Sequence, residues 1–252
     1  MRSWLATLLM FAVLALPNCG PAAKATVNAA DYDAFWLWAG VTPQPVLARA
    51  KSLYILQGQV GFSPEDTTAL GHLIAQGGAT PRERTAAVWI VYRAHTLNWP
   101  PDVYDQILRQ LRIWRESGVP VAGIQIDFDA RTRHLDQYHV FLRDLRHRLP
   151  ANCQLSITGL LDWSSQGNST ELNDLHGVVD EIVLQTYQGR QTIPGYQAYL
   201  ASLSKLTIPF RIGLAQGGEW SAPASLAANP HFRGYVVFLQ NPRPGPQPKV
   251  NE

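Results

Sequence analysis

Cysteine is almost missing from this sequence: Cys19 and Cys153 are the only two among 252 residues. Two thiols cannot build a thiolate site, so metal binding by cysteine is excluded. If Cys19 is cleaved off or lipidated, Cys153 has no partner and no disulfide forms. Cys153 lies beside the apolar run "QLSITGL", where a buried, inert thiol is expected. Charge is scarce as well. Charged residues make up 16 % of the chain, the formal net charge is +2, and there is no long basic run. That removes the electrostatic ground for a nucleic-acid partner. No motif implies a metal or other cofactor. Nor does any linker, repeat or low-complexity block divide the chain after its first segment.

That first segment, "MRSWLATLLMFAVLALPNC", carries Arg2, an apolar run from Trp4 to Leu16 and a break at Pro17. It has the shape of a secretory signal and is short and poorly flanked for a membrane span. Two processing routes fit. "AKA" (23–25) offers small residues for cleavage after Ala25, while Leu16 followed by Cys19-Gly20 resembles a lipoprotein box. The expected division is a signal over 1–25, one folded domain over 26–240 and a proline-rich tail over 241–252. On either route the protein leaves the cytoplasm, periplasmic or secreted, and touches a membrane only through a lipid anchor at Cys19.

What the chain does have is hydrophobic patterning. Eight strand-like runs follow one another: 35–41, 53–60, 86–93, 122–129, 154–160, 181–187, 210–215 and 234–240. Helical spacing lies between some of them. Val103, Ile107, Leu111 and Trp114 define one face over 101–118, and Leu135, Tyr138, Phe141, Leu142, Leu145 and Leu149 another over 132–150. A weaker pattern covers 196–206. Strands alternating with helices predict a parallel sheet, and eight of them predict a single α/β domain of the (β/α)₈ TIM type. Helices between the first strands are poorly marked, and "NPRPGPQPKVNE" is too rich in proline for a closing helix. The predicted barrel is therefore a trimmed one.

Polar residues collect at the C-terminal ends of these runs, where barrels of this type carry their active sites. They include Gln57 and Gln59, Arg93 and His95, Asp127 and Asp129, Gln185 and Tyr187, and Gln240. In "VAGIQIDFDA" (121–130), Gln125, Asp127 and Asp129 alternate with Ile124, Ile126 and Phe128, so the three polar groups share a face. Each buried polar group costs free energy unless satisfied, so five strands doing this at one end point to a shared ligand site. Two carboxylates roughly 6–7 Å apart on one strand cannot both ionise freely in a cleft. One pKa should rise, leaving a proton donor suited to glycosidic cleavage. A structural alternative stands beside this: Asp127 pairs with Arg93, and Asp129 caps the helix that follows.

The run "GIQIDFD" resembles the fourth-strand motif Asp-Gly-x-Asp-x-Asp-x-Glu of the chitinase-like glycoside hydrolases of family 18. Gly123 keeps the glycine, Asp127 matches the last aspartate and Asp129 stands at the catalytic glutamate, while Ala122 and Gln125 replace the earlier aspartates. "VLQTYQG" resembles that family's Met-x-Tyr-Asp segment, with Gln185, Tyr187 and Gln188 in the corresponding places. The resemblance implies that Asp129 acts as the acid, that Asp127 orients substrate, and that Tyr187 steadies an oxazolinium intermediate. Asp in place of Glu pulls the acid back by one methylene, which can cost about two decades in rate. As a whole the chain is also similar to a bacterial (β/α)₈-barrel family, domain of unknown function 3142.

The expected function is that of an exported glycoside-hydrolase-like barrel acting on a polysaccharide or oligosaccharide. Trp36, Trp38 and Trp163 are candidate stacking platforms, with core packing as the alternative for each. Gln57, Arg93, Gln185 and Glu219 are further substrate-binding candidates. A barrel that binds carbohydrate without cleaving it is the first alternative. A phosphate-ligand barrel enzyme is the second and ranks last, because "AQGGEW" (215–220) after the seventh run is short for a phosphate loop and carries a glutamate that would repel phosphate.

Overall fold

The computed structural model describes residues 25–62, 70–77, 85–128, 135–161 and 172–242. Within them eight parallel strands close into a barrel. Numbering only the barrel strands, they are β1 (Ala34–Leu37), β2 (Ser52–Gly61), β3 (Ala87–Ala94), β4 (Val121–Asp127), β5 (Gln154–Leu160), β6 (Glu181–Gln185), β7 (Phe210–Ala215) and β8 (Phe232–Phe238). Each pairs with its sequence neighbour, and β8 returns to β1 through Val237↔Phe35 and Phe238↔Trp36. The trimmed barrel expected from the sequence is the fold observed.

The helical layer is thin. α1 (Pro101–Glu116) starts on a proline at its first turn, where a missing N–H costs nothing, and stops before Gly118 at φ +79°. α2 is Leu135–Arg148; α3 (Tyr196–Leu200) and α4 (Ala224–Ala227) are single turns or little more. The predicted 196–206 helix tightens into a 3₁₀ turn over Ala201–Lys205. The segment before β1 packs on the outside of β8. Val27 and Ala29 are buried, and Tyr32 meets Tyr235 edge-on at 5.6 Å.

Two cores result from strand alternation. One lies between barrel and helices and includes buried Cys153, whose thiol pKa is raised by burial, as expected of an inert cysteine. The other fills the barrel with Trp36, Tyr54, Leu56, Trp89, Val91, Val183 and Val236. Tyr54 and Trp89 stack in parallel at 5.7 Å. Burying each such ring contributes about 1.5–3 kcal/mol, provided the barrel has room for it. Two glycines make that room. A Cβ on Gly213 would sit 2.7 Å from Trp36 Cζ3, and one on Gly123 would sit 2.9 Å from Trp89 Cζ3 and 2.0 Å from the Gln154 carbonyl oxygen.

Candidate active site

The C-terminal mouth of the barrel opens into a cleft of about 480 Å³ lined in part by Trp38, Arg93, Asp127, Gln185, Tyr187 and Phe238. Its floor is a carboxylate. Asp127 is the last residue of β4 and only 3 % exposed. Its Oδ1 accepts a hydrogen bond from Thr158 Oγ1 at 2.8 Å, and its Oδ2 lies 3.7 Å from Arg93 Nε. The structural partner considered for Asp127 is thus real. It does not remove Asp127 from the cleft, because Arg93 is itself at the cleft wall and partly open to solvent. The guanidinium also sits 5.0 Å over the Trp38 ring, a cation–π contact that fixes it between carboxylate and indole.

The remaining wall is aromatic. Tyr187 and Phe238 stack at 5.7 Å and 11°, and Phe238 meets Trp38 edge-on at 5.6 Å. Tyr187 opens a short antiparallel pair, Tyr187–Gln188 with Gln191–Thr192, which forms part of the rim.

Beneath the cleft the barrel interior is polar and closed. Gln125 Oε1 accepts from Trp36 Nε1 at 2.6 Å, and its amide donates to Ser156 Oγ at 2.9 Å. Ser156 donates on to Glu181 Oε1 at 3.3 Å, Tyr54 OH donates to the same oxygen at 2.7 Å, and Arg211 Nε donates to Glu181 Oε2 at 2.7 Å. Burial, reinforced by the Glu181 charge, holds the Tyr54 phenol well above its ordinary pKa. Tyr138, packed outside β4, is raised likewise, first by burial and then by Asp127.

Several sequence candidates therefore meet in one cleft: Asp127, Arg93, Gln185, Tyr187 and Trp38. Others do not. Trp36 is 2 % exposed and hydrogen-bonded to Gln125, so it supports the floor and offers no face to a ligand in the cleft. Gln57 sits at a bulge between Leu56 and Gly58, which inserts a residue and changes the facing of everything after it. Gln59, not Gln57, is consequently paired beside Arg93, and its Oε1 lies 2.8 Å from His95 Nε2. Gln57 is buried and outside the cleft lining. Glu219 is exposed on a short strand paired with Thr26, away from the cleft. Asp129, Trp163 and Cys19 lie outside the described residues.

Residues that the sequence did not single out are Phe238 in the wall, Thr158 on Asp127, and the Tyr54–Ser156–Glu181–Arg211 group. Ser156 and Thr158 carried the same signal as Gln125 and Asp127: polar side chains at alternate positions of an apolar strand. The loop after β7 is no phosphate cradle. Its Gln216, Gly217 and Gly218 amides donate to the carbonyls of Phe238, Val27 and Ala215, so none is left to face an anion.

The sequence matches the family model described as Domain of unknown function (DUF3142) over residues 81–214, more than half of the chain. Among curated proteins none matches it. Solved structures share its shape. A xylanase-α-amylase inhibitor protein, XAIP-I, in complex with trehalose has a TM-score of 0.51 at 11 % identity, over 81 % of this chain and 92 % of that one. XAIP-III gives 0.50 at 12 % identity, over 82 % and 93 %. The chitinase domain of the spore coat protein CotE from Clostridium difficile gives 0.47 at 16 % identity, over 81 % and 68 %. At such identities the likeness to the two inhibitor proteins is one of fold.

Proposed function

The chain belongs to the DUF3142 family, and we propose that it is a glycoside-hydrolase-type barrel that takes a saccharide at its C-terminal mouth and cleaves it by carboxylate acid catalysis. The observation that carries this reading is a buried carboxylate, Asp127, fixed by Thr158 and Arg93 at the floor of an aromatic-walled cleft. Aromatic faces suit the apolar faces of sugar rings. A fixed anion below them suits the positive charge that develops on a ring as its glycosidic bond breaks. In this reading Asp127 orients the substrate and stabilises that charge. Asp129, two residues further along, delivers the proton to the leaving oxygen, and Tyr187 supplies a phenolic hydrogen bond at the ring. Gln185 and Trp38 complete the binding surface.

The test is hydrolysis of a panel of bacterial and plant oligosaccharides by wild-type protein and Asp129→Asn. Turnover should fall by about 10²–10⁴ in the variant while binding persists. Equal turnover by both would move the acid to another residue.

A second reading, saccharide binding without turnover, has its own support: the shape shared with an inhibitor protein solved with trehalose. Wild-type protein that binds members of the panel and hydrolyses none would favour it. Export belongs to the proposal as well, on the signal pattern of residues 1–25. Mass spectrometry of the native protein should find its N-terminus at Cys19 or Thr26, and an intact Met1 would contradict this.

A further inference from the structure

A second and larger cleft, of about 660 Å³, opens beside the first. It adjoins the first along the chain: Gly189 lines the one and Arg190 the other, and Phe238 and Gln240 do the same two residues apart at the end of β8. Gln240 Nε2 donates to the Gly189 carbonyl at 3.3 Å, tying that shared edge together.

The walls of this second cleft are built from amides. Gln44 and Gln216 exchange hydrogen bonds through both of their amide groups, at 3.1 and 2.9 Å, which ties the loop after β1 to the end of β7. Gln44 Nε2 also reaches the Gln240 carbonyl at 3.1 Å, and Gln216 Oε1 also accepts from Gln240 N at 2.9 Å. Asn241 fixes the neighbouring turn by accepting from Thr42 N at 2.7 Å and donating to the Gly40 carbonyl at 2.7 Å. These bonds hold the amides in place yet leave capacity over. Gln216 Nε2 has a second N–H, and Gln240 has its side-chain oxygen, Oε1. Such half-satisfied, half-buried amides match the mixed donors and acceptors of sugar hydroxyls.

Arg190 is the only charged side chain among the described residues that line this cleft. Its Nη2 donates to the Asn241 carbonyl at 3.0 Å, which anchors one corner of the guanidinium. The opposite edge of the fork remains for an acceptor, and no carboxylate among those lining residues competes for it. A planar guanidinium held this way pairs best with a planar carboxylate, through two parallel hydrogen bonds.

We propose that this amide-walled cleft is a second sugar subsite and that Arg190 selects there for a sugar residue bearing a carboxylate. The inference rests on the saccharide reading of the first cleft and adds the substrate class: an acidic oligosaccharide that spans both.

Calorimetric titration of the full chain tests it, using a neutral oligosaccharide, its uronate-bearing counterpart and a sulfated one of equal length. Wild-type protein should bind the uronate form about tenfold or more tightly than the neutral form, the increment of one charge-assisted bidentate pair. Arg190→Gln should bring that ratio close to one, and Trp38→Ala should weaken both ligands together. A ratio near one in wild-type protein, or a ratio unchanged in Arg190→Gln, overturns the subsite. A sulfated form bound more tightly than the uronate overturns the carboxylate assignment. The saccharide reading fails by a different result: Trp38→Ala without effect on either ligand, or no saccharide bound at all.

Discussion

Both halves of this barrel's interior carry polar groups among their apolar ones, and they differ in what those polar groups have left to do. In the lower half Glu181 receives Arg211, Tyr54 and Ser156, and Gln125 joins Ser156 to Trp36. These groups are buried and bonded to one another. At the mouth Asp127 is also bonded, but Arg93, Trp38, Gln185 and Tyr187 around it are only partly buried and line open volume. A polar residue inside a barrel is thus not by itself a sign of a site. The lower network sets the shape of the barrel, and the mouth is where a ligand can bind. Changes below should act on stability and changes above on binding.

The largest effect should come from Glu181→Ala. It leaves the Arg211 guanidinium, mostly buried, without its carboxylate and the Tyr54 hydroxyl without its acceptor. Breaking a buried pair in this way costs about 3–5 kcal/mol, read as a lowered denaturation midpoint. A midpoint unchanged in Glu181→Ala would end the distinction between the two halves.

Gly213→Ala comes next. The added methyl meets the Trp36 ring, which is itself held by Gln125 and cannot swing aside. Overpacking of this kind costs about 1–3 kcal/mol. Chemical denaturation should show the loss, together with altered tryptophan fluorescence.

A titration to high pH tests how tightly both cores are closed. The Tyr54, Tyr92 and Tyr138 phenols are all raised above the ordinary 10.0, with burial the leading cause in each. The folded state therefore keeps its phenolic protons where the unfolded chain would lose them. This contribution to stability is complete below pH 10 and is lost as the pH rises beyond it. Tyrosinate absorbance should show a buried fraction that ionises only as the protein unfolds. Ionisation of all tyrosines before any unfolding would contradict the burial of Tyr54 inside the barrel and of Tyr92 and Tyr138 in the outer core.

The smallest change in stability should follow Trp38→Ala at the mouth, where the indole is partly exposed and held by Phe238 and Arg93. Saccharide binding should nevertheless weaken by about tenfold, the worth of one aromatic contact. An equal loss of stability and binding would make Trp38 structural.

Strand alternation made much of this legible in advance. The eight apolar runs correspond to the eight barrel strands, and Arg93, Asp127, Gln185 and Tyr187 do meet at the mouth. Alternation fails where a bulge intervenes, which is why Gln59 is paired beside Arg93 and Gln57 lies outside the cleft lining. Nor does it reveal partners that only the closed barrel brings together. Glu181 bonds Tyr54 from 127 residues away, and no local pattern links the two. The edge strand His72–Ala75, antiparallel to β2, was also hidden, because a run of four residues carries little periodicity.

The most direct test is a crystal structure of the protein with an oligosaccharide that calorimetry shows to bind. A sugar ring should lie at the barrel mouth against Trp38, Tyr187 and Phe238, with a hydroxyl or ring substituent within hydrogen-bond reach of Asp127. A sugar bound on the outer wall or at the opposite end of the barrel would contradict the assignment of this cleft.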